Sequence, residues 1–292
     1  GRPILVGDPH LAIGIPAQWY VLHMDSPDFN VAGPCSPGYP GPVYYGHNTK
    51  VAWVMTHSGG DRWDLYREHI QRASNGSASV EQPQAEFRGN WEALERRDEH
   101  FEVRGGAAVN TTMWDTRHGP VISGDPLTDD EVVAAAWGLA EPAHDMDALW
   151  GVITANDAAE VREGFRTYDS ISGHYCFADQ AGDIGYQYVG RIPQRPEWLV
   201  PVPGWDGEHE WNGSVPKAEL PAEDNPSNGF IMTANNRTTT PDYPYYLNYA
   251  GTRFRADRLR ELMDDVETFA LDDMPGMQQD IVSIAHREAA EH

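Results

Sequence analysis

Lysine is nearly missing from this sequence. Lys50 and Lys217 are the two lysines among 21 basic residues, which face 45 carboxylates and leave a net charge of −24. Such a balance repels the phosphates of nucleic acid and of anionic membranes, so neither is expected as a partner. The arginine bias and acidic excess resemble salt-adapted proteins, although a high-GC coding sequence accounts for part of both. Cysteine is as scarce. Cys35 and Cys176 make neither a metal-binding spacing nor a disulfide framework, and one bridge or two separate thiols both remain open. No apolar run is long enough to cross a bilayer, and the first residues lack the basic-then-apolar order of a signal peptide. The chain is expected to be soluble.

Several catalytic signatures are also missing. There is no HExxH, no GxSxG, no glycine-rich phosphate loop and no CxxC pair. A zinc protease, an α/β-hydrolase and a nucleotide-binding enzyme lose their support, and no organic cofactor is expected.

Turn formers and aromatics are abundant. The 22 prolines and 28 glycines, scattered among 10 Trp, 13 Tyr and 8 Phe, predict short strands joined by irregular loops. Strand-like segments run at 4–8 (ILVGD), 17–25 (AQWYVLHMD, with Trp19, Val21 and His23 on one face), 43–48 and 51–57. Further strands are expected at 99–105 and 111–122, in a polar, β-rich stretch. Residues 156–168 predict a helix capped by Asn156 or Asp157, with Val161, Phe165 and Tyr168 on its apolar face. Residues 175–190 predict a hairpin turning at Gln180-Ala181-Gly182-Asp183. The proline-rich run at 193–207 must be extended, and helices are expected at 256–263 and 272–289, an Asp before Pro275 suiting the start of the second.

Single candidate groups are ambiguous. His10 ends an apolar segment and, taken alone, reads as a structural histidine. Asp61 and Asp64 in GGDRWDLY can offer oxygen ligands to Ca²⁺, yet an Asp-x-x-Asp is more often a turn or a cap. The adjacent amides Asn235 and Asn236 in IMTANNR could donate to an oxyanion, although Asn pairs more often make turns. Asn-x-Ser/Thr sequons stand at Asn75, Asn110, Asn212 and Asn236.

Their order along the chain is more specific than any one of them. GRPILVGDPHL, VAGPCSPGYPGPVYYGHNTKVAWVMTHSGGDRWDLY, ADQAGDIGY, WLVPVPGWDG, GFIMTANNR and FRADRLREL succeed one another as they do in the penicillin acylase family, which the chain resembles from Gly1 to its last helix. The resemblance is to the catalytic β-chain of an N-terminal-nucleophile amidohydrolase. It implies an α+β fold, the four-layer αββα sandwich of that superfamily carried in part. On it, 1–66 and 165–250 form the sheet core, 67–164 a β-rich insertion plus helix, and 251–292 a helical segment leading into a C-terminal part outside these residues.

The resemblance also implies a chemistry. A self-cleaving precursor exposes an N-terminal Ser, which serves as nucleophile and, through its α-amine, as base. In the family that Ser lies about a dozen residues before the position of Gly1, so these 292 residues alone are expected to be inactive. Asn235 matches the side-chain donor of the oxyanion hole, His57 the residue whose backbone N–H is the second donor, and Arg255 an arginine that positions the Asn. His10 falls close to the nucleophile's amine. Leu11, Tyr45 and Met55 match positions that touch the acyl group, implying a hydrophobic one. Asp61, Asp64 and the carbonyls of Trp63 and Trp198 match a structural Ca²⁺ site. The expected partners are an α-chain from the same precursor and a small acyl-amide substrate, in a periplasmic or secreted setting. Two other readings are an acyl-homoserine-lactone or other lipid-amide acylase, and a non-catalytic homologue acting in binding.

Overall fold

The computed structural model describes residues 2–72, 82–248, 251–264 and 266–291. The sequon at Asn75 lies outside the described residues. In chain order the first strands are β1 (Tyr20–Asp25), β2 (Asn30–Cys35), β3 (Gly46–Asn48) and β4 (Val51–His57). Then come β5 (Trp63–Arg72), β6 (Pro83–Phe87), β7 (Asn90–Ala93), β8 (Glu95–Phe101), β9 (Val109–Thr116), β10 (Gly119–Ser123) and β11 (Glu131–Trp137). The helices α1 (Asp145–Ile153) and α2 (Ala158–Thr167) precede β12 (Gly173–Asp179), β13 (Ile184–Val189), β14 (Val202–Pro203) and β15 (Ala222–Asp224). The chain ends in α3 (Phe254–Met263), α4 (Met274–Gln278) and α5 (Ile284–Ala290).

Two compact units divide these elements. The first comprises 1–61, 142–192 and 215–292, and the second 62–141 and 193–214. The expected boundaries differ from these at 62–66, which belong to the second unit, and in two longer stretches. Residues 142–164 pack with the first unit's sheet rather than with the insertion, and the proline-rich run returns to the second unit. Sequence proximity is the wrong guide here, because α1 and α2 are amphipathic and find their apolar partner in the sheet that follows them.

In the first unit the sheet order is β1-β2-β3-β4-β12-β13-β15, antiparallel throughout. One face carries Trp53, Tyr175 and Phe177, fully buried against Val161 and Phe165 of α2 and Leu149 and Val152 of α1. Of the expected αββα sandwich, the described residues of this unit supply one helical layer on one sheet layer. The helix start at Asp157 is as expected, its carboxylate accepting from Glu160 N at 2.8 Å. Helix α1 was not anticipated, having no capping side chain and little amphipathic contrast. Carbonyls at and just past its C-terminus are caught from outside the helix. Asn48 donates to Ile153 O and Ala155 O at 3.1 and 2.8 Å, while its own Oδ1 turns the chain by accepting from Lys50 N and Val51 N. The two helices approach closely at Gly164, where a Cβ would lie 2.8 Å from Val152 Cγ2.

The hairpin β12–β13 forms as expected, with Asp179 Oδ1 accepting from Gly182 N and Asp183 N. Other expectations fail. Residues 4–8 carry no strand pairing among the described residues; three prolines between 3 and 16 withhold N–H donors there, and the segment instead packs Gly7 onto the ring of Tyr45. In β1 the half-buried face is Leu22 and Met24, leaving Val21 and His23 exposed. The helix expected over 272–289 breaks into α4 and α5 around Asp280, which is held by Arg258. Cys35 and Cys176 are both free and buried.

The second unit's sheet runs β7-β6-β5-β11-β10-β9-β8, with β14 lying parallel to β5. Along β5 the buried positions alternate, and they are Asp64, Tyr66, Glu68 and Ile70. Two carboxylates therefore face the interior. Glu68 accepts from Thr116 Oγ1 at 2.8 Å and meets His118 Nδ1 at 2.7 Å, while His118 Nε2 meets Glu210 at 2.8 Å and its ring stacks on Tyr66. Burial alone would lower the pKa of His118, but hydrogen bonds and charge from Glu68 and Glu210 outweigh it and raise it.

Two outcomes follow from this packing. Gly164→Val should cost about 1–3 kcal/mol in urea unfolding, because the added methyls meet α1. A folded-state pKa above the unfolded value means that protonated His118 stabilises fully below about pH 6.5 and less as pH rises through the raised pKa. His118→Gln should therefore lower the unfolding midpoint more at mildly acid than at alkaline pH, as thermal melts across that range will read.

Candidate functional site

The first unit holds a cleft of about 1390 Å³ lined by residues from the 2–11 segment, β4, β12, the 229–235 segment and α3. Its apolar walls include Leu5, Tyr45, Val54, Met55, Phe177 and Ile231. Asn235, His57 and Arg255 line the same space.

Asn235 sits at the end of the 229–235 segment with φ +62°, a left-handed conformation that Asn tolerates better than most side chains. Gly251 makes that geometry possible by close approach. Its N–H donates to Asn235 O at 2.8 Å, and a Cβ on Gly251 would lie 2.9 Å from Asn235 Cβ. The turn is completed by Asn236, whose Oδ1 accepts from Ala234 N at 2.9 Å. One Asn of the pair thus makes the turn and the other is presented by it.

The Asn235 amide is held at both ends. Arg255, in the first turn of α3, donates to Oδ1 at 2.6 Å, and Nδ2 donates to the carbonyl of His57 at 2.6 Å. Guanidinium on one side and carbonyl on the other leave one sensible orientation of the amide. One of the two Nδ2 hydrogens points to His57 O, and the other is available to an acceptor in the cleft. His57 ends β4, where it pairs in register with Gly173 of β12. The residue beside that pair, His174, is fully buried, and burial, aided by His57, pushes its pKa down to about 3. The sheet beneath the amide therefore carries a neutral imidazole.

Tyr45 and Met55 are brought together, the phenol donating to Met55 O. Burial, with help from Asp8, pushes the Tyr45 hydroxyl up to about 12, so it stays a neutral donor. Leu11 is half exposed on the cleft wall. His10 also lines the cleft, 70% exposed, with Nε2 3.8 Å from Asp8. Sequence reasoning missed Thr56 and Thr233, whose hydroxyls bond at 2.8 Å and tie β4 to the segment that carries Asn235. It also missed Gly251. Neither has a local signature, since each acts on a residue distant in sequence. Cys176 reaches the cleft as well, but burial pushes its thiol up to about 12, which leaves it unreactive.

Asp61 belongs to the first unit, and Trp63, Asp64 and Trp198 to the second. Asp64 Oδ2 accepts from Arg195 Nε and Trp211 Nε1, both at 2.6 Å. Among the described residues no group of three or more His, Cys, Asp or Glu could hold a metal ion. A guanidinium and an indole N–H on the carboxylate oxygen do not fit Ca²⁺, which takes oxygen ligands. Among the described residues no helix is long and apolar enough to cross a membrane.

The family model described as penicillin amidase matches residues 1–292. The chain is 37% identical over 287 residues to a penicillin acylase 2 proenzyme of Pseudomonas sp. (strain SE83), covering 97% of this chain and 36% of that protein. An acyl-homoserine lactone acylase of Pseudomonas aeruginosa is 29% identical over 298 residues, 97% of this chain and 34% of its own. Among solved structures, a thermostable penicillin G acylase from Alcaligenes faecalis superposes with a TM-score of 0.73 at 27% identity, over 90% of this chain and 46% of that one. The chain thus spans about a third of the length of the curated relatives it matches.

The clamp on Asn235 has a direct readout. With asparagine side chains labelled with ¹⁵N, the Asn235 NH₂ pair should give two well-separated, slowly exchanging proton signals. Arg255→Leu should broaden them or collapse their separation, because the amide then rotates.

Proposed function

The chain belongs to the penicillin amidase family, and from that membership we propose that its protein hydrolyses the amide bond between a hydrophobic acyl group and an amine. The reaction runs through an acyl-enzyme on an N-terminal Ser supplied from outside residues 1–292. The observation that carries this reading is the doubly held amide of Asn235, an N–H donor fixed in advance at the wall of an apolar cleft.

Each residue then has a part. The Ser hydroxyl attacks the amide carbon and passes its proton to its own α-amine. Charge that develops on the carbonyl oxygen is met by Asn235 Nδ2–H and by the backbone N–H of His57, donors that need no reorganisation as the bond forms. Collapse of the tetrahedral species expels the amine, which takes up the proton, and water then releases the acid from the Ser ester. Arg255 acts through Asn235. It draws Oδ1 away, so that Nδ2 faces the oxyanion, and its positive charge polarises the amide. His10, exposed on the cleft wall, is the candidate neighbour of the α-amine. Leu11, Tyr45 and Met55 receive the acyl chain. The relative named as a proenzyme supports maturation by cleavage, with an α-chain as partner; the periplasmic or secreted address is proposed on the family resemblance alone.

A second reading, an acylase of long-chain amides such as acyl-homoserine lactones, is favoured by the size of the cleft and by the acylases of that name among the relatives. Comparing release of phenylacetyl and long-chain acyl amides separates the two. A purely binding homologue is disfavoured, because it has no use for an amide clamped in this way. In the complete enzyme, Asn235→Ala should reduce kcat by about two orders of magnitude or more with a smaller change in KM. Turnover near the wild-type rate removes Asn235 from the oxyanion site.

A further inference from the structure

Arg195 lies in the proline-rich run of the second unit, where Pro193 and Pro196 keep the backbone extended. That run is fastened to the 212–214 segment. Gln194 N donates to Gly213 O and Asn212 N to Gln194 O, both at 2.9 Å, and Pro193 bridges Ser214. The fastening brings Arg195 and Trp211 to the same oxygen of Asp64. The Asp64 and Arg195 side chains are 4% and 1% exposed. The guanidinium lies 5.3 Å from the ring centre of Trp198, and its Nη1 donates to Pro196 O at 3.0 Å. Trp198 thus covers the guanidinium with its ring.

A buried carboxylate on the inner face of a sheet needs a compensating positive charge. The family resemblance places a divalent ion at Asp64. We propose that Arg195 is the built-in structural cation of the second unit, a guanidinium that holds the place of that ion and makes the fold independent of Ca²⁺. Three features support it beyond the ion pair. The Asp64 oxygen accepts from a second N–H donor, Trp211 Nε1, beside the guanidinium, the guanidinium is covered by an aromatic face, and a +2 ion at the same oxygen would meet a buried positive charge. This assignment stands apart from the proposed amide hydrolysis, and its test reads stability and binding rather than activity.

With the purified protein, EGTA and added CaCl₂ should both leave the thermal unfolding midpoint unchanged, and calorimetric titration with Ca²⁺ should give no saturable heat. Arg195→Gln should lower the midpoint by on the order of 10 °C, since the carboxylate is left buried without its cation. Adding Asp64→Asn to that variant should recover part of the loss, so that the two substitutions are not additive. A wild-type midpoint that falls on chelation, or saturable Ca²⁺ binding abolished by Asp64→Asn, overturns the assignment. So does strict additivity of the two variants. The wild-type measurements decide the matter even if a variant does not fold.

Discussion

A primary amide can turn either end toward a substrate, and one end would ruin an oxyanion site. The contact between Arg255 and Asn235 Oδ1 settles which end is presented, and much of the first unit converges on it. Helix α3 supplies the guanidinium, β4 supplies the His57 carbonyl that takes one amide hydrogen, and Gly251 allows the left-handed backbone that aims the side chain. The Thr56–Thr233 bond keeps the two segments that carry these groups at constant separation. Preorganisation of this kind is what electrostatic catalysis requires, because donors that must first rotate forfeit part of their effect.

Charge elsewhere in the molecule is handled in the same economical way. For a chain with 45 carboxylates, the exceptional ones are those that go inside. Asp64 meets Arg195, Glu68 meets His118, and Asp169 meets both Arg191 and Lys217. Lys217, one of only two lysines, spends its remaining donors on the carbonyls of Tyr168 and Gly190. Asp64, Glu68 and Asp169 thus each have a positive or protonated partner, while the buried Asp179 is held by the backbone N–H groups of Ala158, Gly182 and Asp183; breaking a buried ion pair is costly even where forming it gains little.

What could be read in the sequence followed local rules. The hairpin at 173–189 was legible because its turn residues and flanking apolar runs lie side by side, and α2 because Asp157 and the Val161, Phe165 spacing are local signals. The segment at 4–8 was not, since apolar composition alone does not provide a strand with a partner. Helix α1 lacked a cap in its own sequence, its carbonyls being satisfied by Asn48 more than a hundred residues away. Asn235, His57 and Arg255 were recognisable only as members of an ordered series of motifs; no one of them has a spacing that distinguishes it from a turn residue, a strand end or a helix surface charge.

The sequence by itself determined the class of fold, the hydrophobic character of the segments that line the cleft, and the family to which the ordered motifs belong, because these rest on patterns contiguous in the chain. Only the tertiary structure decided that Asp64 and Glu68 face inward along β5, since an alternating strand has two faces and composition does not say which is covered. It alone decided that Asp64 is satisfied by a guanidinium drawn from the proline-rich run. It alone set the direction of the Asn235 amide, which is fixed by partners 178 and 20 residues distant. Charge compensation and amide orientation are properties of atoms in contact, and contacts between distant residues exist only once the chain has folded.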